Sequence, residues 1–176
     1  MARPPKDVIP AYTPVPETLA HMPGQIAIHE VEPAATRTVL YSDIDFNGHM
    51  NNGRYLTLLD LARIDLMVRS NTWKAALDAG WYPVVAAQEI KYRRSLKPFQ
   101  KFDVATSMLG HDGKNVLIKQ EFMVGDSVYA TAIVKARWLH RTGGSVTIEQ
   151  IAEVTGPYPE HFVLIEDASV EALLSA

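Results

Sequence analysis

The chain has 176 residues, with 17 Lys plus Arg against 20 Asp plus Glu, a formal charge of −3, 47% hydrophobic and 21% charged residues, and no cysteine. That balance is ordinary for a globular chain and excludes a disordered or collagenous one; it argues against a general nucleic-acid binder, which carries a clear basic excess. Without cysteine there is no disulfide scaffold, zinc ribbon, iron–sulfur site or thiol nucleophile.

The length suits one domain, burying roughly 70% of its unfolded surface. The opening residues, MARPPKDVIPAYTPVPETLA, lack the apolar run of an export signal, and no stretch approaches the roughly 20 apolar residues of a membrane span. A cytoplasmic location is the default expectation, with no membrane partner.

Seven of the 11 prolines fall in the first 33 residues. Proline removes a backbone donor and biases the residue before it toward extended conformations. Residues 1–34 therefore read as a proline-rich arm, either laid over the domain or a partner or simply frayed. Residues 35–176 read as a single domain with a short C-terminal tail.

TRTVLY (36–41) fits a short strand, and SDIDFNGHMNN after it is polar and turn-forming. GRYLTLLDLARIDLMVRS (53–70) is helical in pattern: Tyr55, Leu59, Ala62 and Leu66 recur at helical steps, while Leu56, Leu58, Leu61, Ile64 and Met67 make the other faces apolar too. Such a helix is expected to be covered on more than one side. Asn51 or Asn52 can cap its start, with Ser70 and Asn71 at its end. WKAALDAG suits a second short helix ending at Gly80.

From Pro83 the character changes. PVVAAQEIKYRR reads as a strand. KFDVATSMLGH alternates, with Phe102, Val104, Thr106 and Met108 on one face, and Asp112-Gly113 makes a hairpin turn. KNVLIKQEFMV groups Val116, Ile118, Gln120 and Phe122. After Gly125-Asp126, a second turn, SVYATAIVKARWLHR puts Val128, Ala130, Ala132, Val134, Ala136 and Trp138 on one side. Three long strands and two tight turns make an antiparallel meander, and the alanines leave room for the long helix to pack closely. The tail closes on a short helix, ASVEALLSA. The fold class is α+β, with the helix on one face of an antiparallel sheet.

The segment richest in chemistry is Ser42–Arg54, SDIDFNGHMNNGR. It brings two carboxylates, three carboxamides and a histidine to the start of an apolar helix, where free backbone N–H groups can polarise a carbonyl oxygen. A carboxylate, an amide and an imidazole beside such donors are the parts that acyl transfer needs. Asp, Asn and Gly are also the ordinary residues of turns and caps. The order Asp45-x-Asn47-x-His49, then Asn51-Asn52-x-x-Tyr55, is more specific than turn chemistry requires.

The run Asp43-x-Asp45-x-x-Gly48-His49-Met50-Asn51-Asn52-x-x-Tyr55, with Asp60-x-Ala62-Arg63 on the helix and Ile90-Lys91-Tyr92-Arg93-Arg94 on a strand, resembles the hot-dog-fold thioesterases. It is most similar to their 4-hydroxybenzoyl-CoA and acyl-acyl-carrier-protein groups, over roughly Thr36 to Arg141. The resemblance implies a hot-dog fold, a long central helix wrapped by an antiparallel sheet. It also implies a homodimer or homotetramer with active sites between subunits, and hydrolysis of an acyl-CoA or acyl-carrier-protein thioester to free acid and thiol.

It implies Asp45 as nucleophile or as base for water. Asn47 and His49 would position the carboxylate and the thioester, and backbone N–H groups near Asn52 or Gly53 would contact the oxyanion. Asp60 and Arg63 would form a supporting layer. Coenzyme A enters only as part of the substrate, and no cofactor is expected. Two departures stand out. The carrier-protein enzymes carry Glu-Cys where this chain has Ser95-Leu96, which favours a one-carboxylate arrangement. The Glu of their helix element is Asp60 here.

Tyr92, Arg93, Arg94 and Lys97, within a basic cluster that runs from Lys91 to Lys101, read as a contact for coenzyme A phosphates or a carrier protein's acidic surface. They read equally as one solvated strand face, with Tyr92 as an adenine platform or as core. His21, His29, His111, His140 and His161 lack metal-ligand spacing, so no metal is expected. Leu58, Leu61, Trp81 and Met108 are candidates to line an acyl tunnel between helix and sheet. Two other activities compete with hydrolysis: an enoyl-thioester hydratase or dehydratase on the same fold, and a non-catalytic acyl-thioester binder. The hydratases pair Asp and His five apart, whereas Asp45 and His49 are four apart.

Overall fold

The computed structural model describes residues 34–158, 162–166 and 173–174. The proline-rich arm, up to residue 33, lies outside them, as does the expected tail helix apart from Leu173 and Leu174.

Period-two alternation produces three strands as expected: β3 (Lys101–His111), β4 (Val116–Val124) and β5 (Ser127–His140), paired antiparallel in sequence order. The β4–β5 turn is the two residues Gly125-Asp126, with Gly125 at φ +55. The β3–β4 turn is longer than Asp112-Gly113 alone. It spans 112–115 because the Asp112 carboxylate accepts from the backbone N–H groups of Lys114 and Asn115 and from the Asn115 side chain.

Strand β2 (Trp81–Tyr92) pairs antiparallel with β5, from Trp81↔His140 to Tyr92↔Ala130. It ends before Arg93, because the N–H groups of Arg93 and Arg94 both turn to the Tyr129 carbonyl. Strand β1 (Ala34–Thr38) pairs with β3 and stops short of the expected Tyr41. Tyr41–Asp43 instead form a 3-10 turn. The sheet order is β1-β3-β4-β5-β2, and a two-residue β6 (Val163–Leu164) lies parallel to the end of β3.

Helix α1 (Asn52–Arg69) packs across the concave face. Its N-cap is Asn51, whose side chain accepts from the Gly53 N–H, and its C-cap is Ser70. Tyr55, Leu58, Leu59 and Ala62 bury against Phe102, Val104, Phe122, Ala130 and Ala132, so the two small side chains of β5 admit the helix as expected. Burial of side chains of this size contributes about 1.5–3 kcal/mol each for the larger ones. The expectation of cover on several sides is only half met within one chain, since Leu61, Ile64 and Val68 form an exposed stripe on the outer face of α1.

A second cluster lies at the far end of the sheet. Here α2 (Thr72–Asp78), Trp81, Val116 and Trp138 meet α3 (Ile148–Thr155). Helix α3 was not anticipated, although Thr147-x-x-Gln150 forms a reciprocal capping box ahead of Ile148 and Ile151. Among the described residues no helix is long and apolar enough to cross a membrane.

Candidate active site

The Asp45 loop is a short hairpin closed by an Ile44↔Met50 bridge. The Asp45 N–H donates to the His49 carbonyl at 2.9 Å, and the Gly48 N–H donates to the Asp45 carbonyl at 3.0 Å. Gly48 sits at φ +75, a conformation other residues adopt only at a cost. The Asn47 N–H donates to Asp45 Oδ1 at 2.8 Å, and the second carboxylate oxygen has no partner among the described residues. Asp45 and His49 are half-buried and Asn47 is exposed. Asp45, Asn47 and His49 thus share one tight turn. Among the described residues neither the Asn47 amide nor the His49 ring has a hydrogen-bond partner.

Three anchors fix this turn to the helix and the sheet. The buried Asp43 carboxylate accepts from the Leu40 N–H at 2.9 Å and from Arg54 Nε, while the Asp43 carbonyl accepts from the Asn51 N–H at 2.8 Å. The Met50 N–H donates to the Leu96 carbonyl, and the Leu96 N–H donates to the Tyr55 hydroxyl at 3.2 Å. Burial pushes the Tyr55 hydroxyl pKa up, and the Leu96 N–H opposes that shift. Leu96, fully buried, therefore does structural duty where the carrier-protein enzymes have Cys, and its neighbour Ser95 is exposed.

The two backbone donors singled out from the sequence differ. The Gly53 N–H is taken by the Asn51 cap, whereas the Asn52 N–H has no partner among the described residues. The supporting functions of Asp43, Arg54, Tyr55 and Leu96 escaped the sequence reading. Asp43 and Tyr55 stood in the motif, but no local spacing signals an ion pair across eleven residues.

Asp60 and Arg63 lie further along α1, about 12 Å or more from Asn52 at the helical rise. Arg63 donates to Gln120 Oε1 at 2.5 Å and to Asp60 Oδ1, away from the Asp45 loop. Burial lowers the Arg63 pKa, and Asp60 opposes that shift. Tyr92 meets Tyr55 edge to face at 5.1 Å, so its ring is partly core and partly exposed; burial pushes its pKa up. Arg93, Arg94 and Lys97 are exposed, with the Arg94 guanidinium 5.8 Å from the centre of the Tyr129 ring.

Between the first turns of α1 and the sheet, Tyr55, Leu59 and Phe122 pack together. A cavity of about 430 Å³ lies beside the C-terminal half of α1. Of the four tunnel candidates only Met108 lines it. Leu58 and Trp81 are core, and Leu61 faces outward. Among the described residues no cluster of three or more His, Asp or Glu side chains could hold a metal ion.

Protein THEM6 of Xenopus laevis is 34% identical over 143 residues, covering 77% of this chain and 69% of that protein. Other curated relatives are matched over 49% to 58% of their own length. Among solved structures, Escherichia coli YbaW, a probable thioesterase, superposes with a TM-score of 0.65 at 22% identity, covering 69% of this chain and 95% of that one. A Staphylococcus aureus protein solved in complex with CoA superposes with a TM-score of 0.57 at 18% identity, covering 74% of this chain and 87% of that one. These likenesses agree with a hot-dog fold. The model of the thioesterase-like superfamily matches residues 39–162, which include the Asp45 loop, the long helix and the whole meander, and the chain belongs to that superfamily.

Proposed function

We propose that this chain hydrolyses an acyl thioester, with Asp45 as the working carboxylate. The observation that carries the reading is the Asp45 turn itself. One carboxylate oxygen is fixed by the Asn47 N–H, and among the described residues neither the other oxygen nor the Asn52 N–H at the start of α1, the helix this turn leads into, has a partner. Thioester carbonyls are activated, so modest assistance suffices. Asp45 either attacks the carbonyl carbon or takes a proton from the attacking water, and the Asn52 N–H, at the positive end of the helix, stabilises the oxyanion. The C–S bond then breaks and the thiolate takes up a proton; where water attacked, the free acid forms directly, and where Asp45 attacked, water cleaves the resulting Asp45–acyl anhydride to the free acid and restores the carboxylate. Asn47 and His49, both with uncommitted side chains, position the thioester.

Coenzyme A is the favoured thiol carrier. The fold neighbour solved with CoA supports it, as do the exposed cations Arg93, Arg94 and Lys97. A second copy completes the site in this reading. The twelve-residue β2 is an edge strand largely exposed along its length, and the outer stripe of α1 is apolar and uncovered. Phe46, 98% exposed beside Asp45, is a natural contact for that copy.

A thiol-release panel over short, long and aromatic acyl-CoAs, run on the parent and on Asp45→Ala, tests the proposal. The parent releases thiol from at least one, and Asp45→Ala loses about a hundredfold or more. Unchanged turnover in the variant sinks the assignment. Hydration of a crotonyl thioester without thiol release transfers it to the hydratases, and acyl-CoA binding without any turnover makes the chain a binder.

A further inference from the structure

Phe99 combines an unfavourable backbone conformation with an exposed ring. It sits at φ +61, in the left-handed region, and is 72% exposed. The Gln100 N–H donates to the Lys97 carbonyl at 3.2 Å, which makes Lys97–Gln100 a tight turn with Pro98 and Phe99 at its two corners. Such a turn favours glycine or asparagine at the second corner, and a bulky aromatic there is strained. Gln100 braces the turn: its Oε1 accepts from the Lys97 N–H at 3.0 Å and its Nε2 donates to the Tyr129 hydroxyl at 3.2 Å. Contacts within the chain do little to offset the strain, because most of Phe99 faces solvent.

A second apolar tip stands beside the first. The Phe99 N–H donates to the Val39 carbonyl and the Val39 N–H to the Gln100 carbonyl, both at 3.0 Å, so the two loops run side by side. Directly after Val39 come Leu40, 56% exposed, and Tyr41, 82% exposed at the start of the 3-10 turn. Three large apolar side chains thus crowd one corner of the molecule, on turns, and none of them lines the cavity beside α1. The charge around them has one sign. Residues 91–102 hold five cations and no carboxylate. Lys97 and Lys101 are exposed, and neither has an ion pair among the described residues. Asp43, the carboxylate nearest to Tyr41 in the chain, is buried and paired with Arg54.

We propose that this corner docks the protein on an anionic lipid surface, with Phe99, Tyr41 and Leu40 entering the headgroup region and Lys97 and Lys101 on the phosphates. Apolar tips ringed by cations match the layered chemistry of a bilayer interface, oily within and negative at its surface. A fluid lipid phase accepts isolated protruding tips, whereas a protein partner must supply a shaped pocket for each. The sequence reading expects no membrane partner because no segment is apolar enough to span one, but surface docking needs no span. Asp45 follows Tyr41 by four residues, so docking brings the candidate active site close to the bilayer, where long acyl thioesters and free acids gather. That consequence rests on the proposed hydrolysis; the docking does not.

Flotation of the full chain with vesicles tests the docking. The parent floats with vesicles of equal parts phosphatidylglycerol and phosphatidylcholine and stays behind with phosphatidylcholine alone. Phe99→Gly weakens binding about tenfold, and because glycine suits φ +61 its thermal melt lies at or above that of the parent. Lys101→Gln weakens binding about fivefold, and added salt weakens the parent in the same direction. Since the chain has no cysteine, an environment-sensitive dye on Ser42→Cys reads this corner alone, and its emission shifts to the blue on the anionic vesicles.

Equal flotation with both vesicles overturns the proposal, as does binding indifferent to both Phe99→Gly and Lys101→Gln. Failure to float with either vesicle overturns it too, and capture by purified acyl-carrier protein then assigns the corner to a protein partner. Light scattering in which Phe99→Gly dissociates a dimer also overturns it, because the corner is then an interface between copies. No thioester enters these measurements, so a chain inactive toward every acyl-CoA leaves them unaffected.

Discussion

Arg54 Nε donates to the Asp43 carboxylate at 2.7 Å, joining the first turn of α1 to the segment that presents Asp45 two residues later. Asp43 is almost fully buried while the Arg54 side chain is partly exposed. Removing the arginine therefore leaves a buried carboxylate with the Leu40 N–H as its one donor among the described residues. Arg54→Met is expected to cost about 1–3 kcal/mol of stability. On the proposed function it also lowers kcat for thioester hydrolysis about tenfold with a smaller change in KM, because the turn carrying Asp45 loses one of its anchors. Urea unfolding and steady-state kinetics on the same preparation check both. A kcat equal to that of the parent would show that Asp43 holds the turn without its ion pair.

Gln120 joins the middle of the sheet to the middle of α1, accepting from Arg63 and donating to the Leu59 carbonyl and the Thr106 hydroxyl at 3.1 and 3.0 Å. Gln120→Leu leaves the buried Arg63 guanidinium with Asp60 as its one remaining partner among the described residues and is expected to cost about 1–3 kcal/mol. The double variant Arg63→Met/Gln120→Leu removes both halves of the polar link and should recover most of that loss. A double-mutant cycle by denaturant unfolding measures the difference; strictly additive losses would mean the two side chains do not act as a pair.

Acid should weaken the fold through Asp112. Burial raises its carboxyl pKa, but Asn115, Lys114 and Lys135 outweigh burial and hold it at about 2, below the ordinary 3.8. The folded value is the lower one, so the stabilisation is complete above about pH 3.8 and is lost as the pH falls through about 2. It amounts to about 2 kcal/mol. Lys135→Met narrows the gap by raising the folded value. Carboxyl chemical shifts followed by NMR through this range, with urea melts at about pH 5 and pH 2, test the window. An Asp112 midpoint at 3.8 or above removes the effect.

Gly110 sits at φ +156 where β3 receives β6, and a Cβ there would lie 2.4 Å from the Val163 carbonyl oxygen. That oxygen belongs to backbone, so β6 must move. Gly110→Ala should destabilise by about 1–3 kcal/mol and should expose the Ile165 amide, which donates to the His111 carbonyl at 2.8 Å. Hydrogen exchange at Ile165 and a thermal melt report both. Unchanged protection would mean that β6 shifts without detaching.

The meander and the long helix were legible because their periods differ. Phe102, Val104 and Thr106 alternate, whereas Tyr55, Leu59 and Ala62 recur at helical steps, and burial follows both patterns. Asp45, Asn47 and His49 were legible as a group because they lie within one turn. What stayed hidden depends on long-range pairing. Nothing near Asp43 announces Arg54, and nothing near Arg63 announces Gln120, 57 residues away. The capping box at Thr147 is a local signal, since Thr147 and Gln150 announce α3 without any long-range partner. That Leu58 and Trp81 lie in the core and not on the cavity is decided by facing side chains, which a linear reading does not show.

The sheet order β1-β3-β4-β5-β2 has a consequence for synthesis. On the ribosome α1 and β2 emerge first, yet the partner that hydrogen-bonds β2 is β5, whose matching residues come 38 to 59 positions later. The aromatic floor for the helix, Phe102 and Phe122, is likewise translated after it. The nascent N-terminal half therefore waits, oily and unpaired, until the hairpins behind it are made, and this interval is where the polypeptide is most exposed to chaperone capture or to clumping with its neighbours.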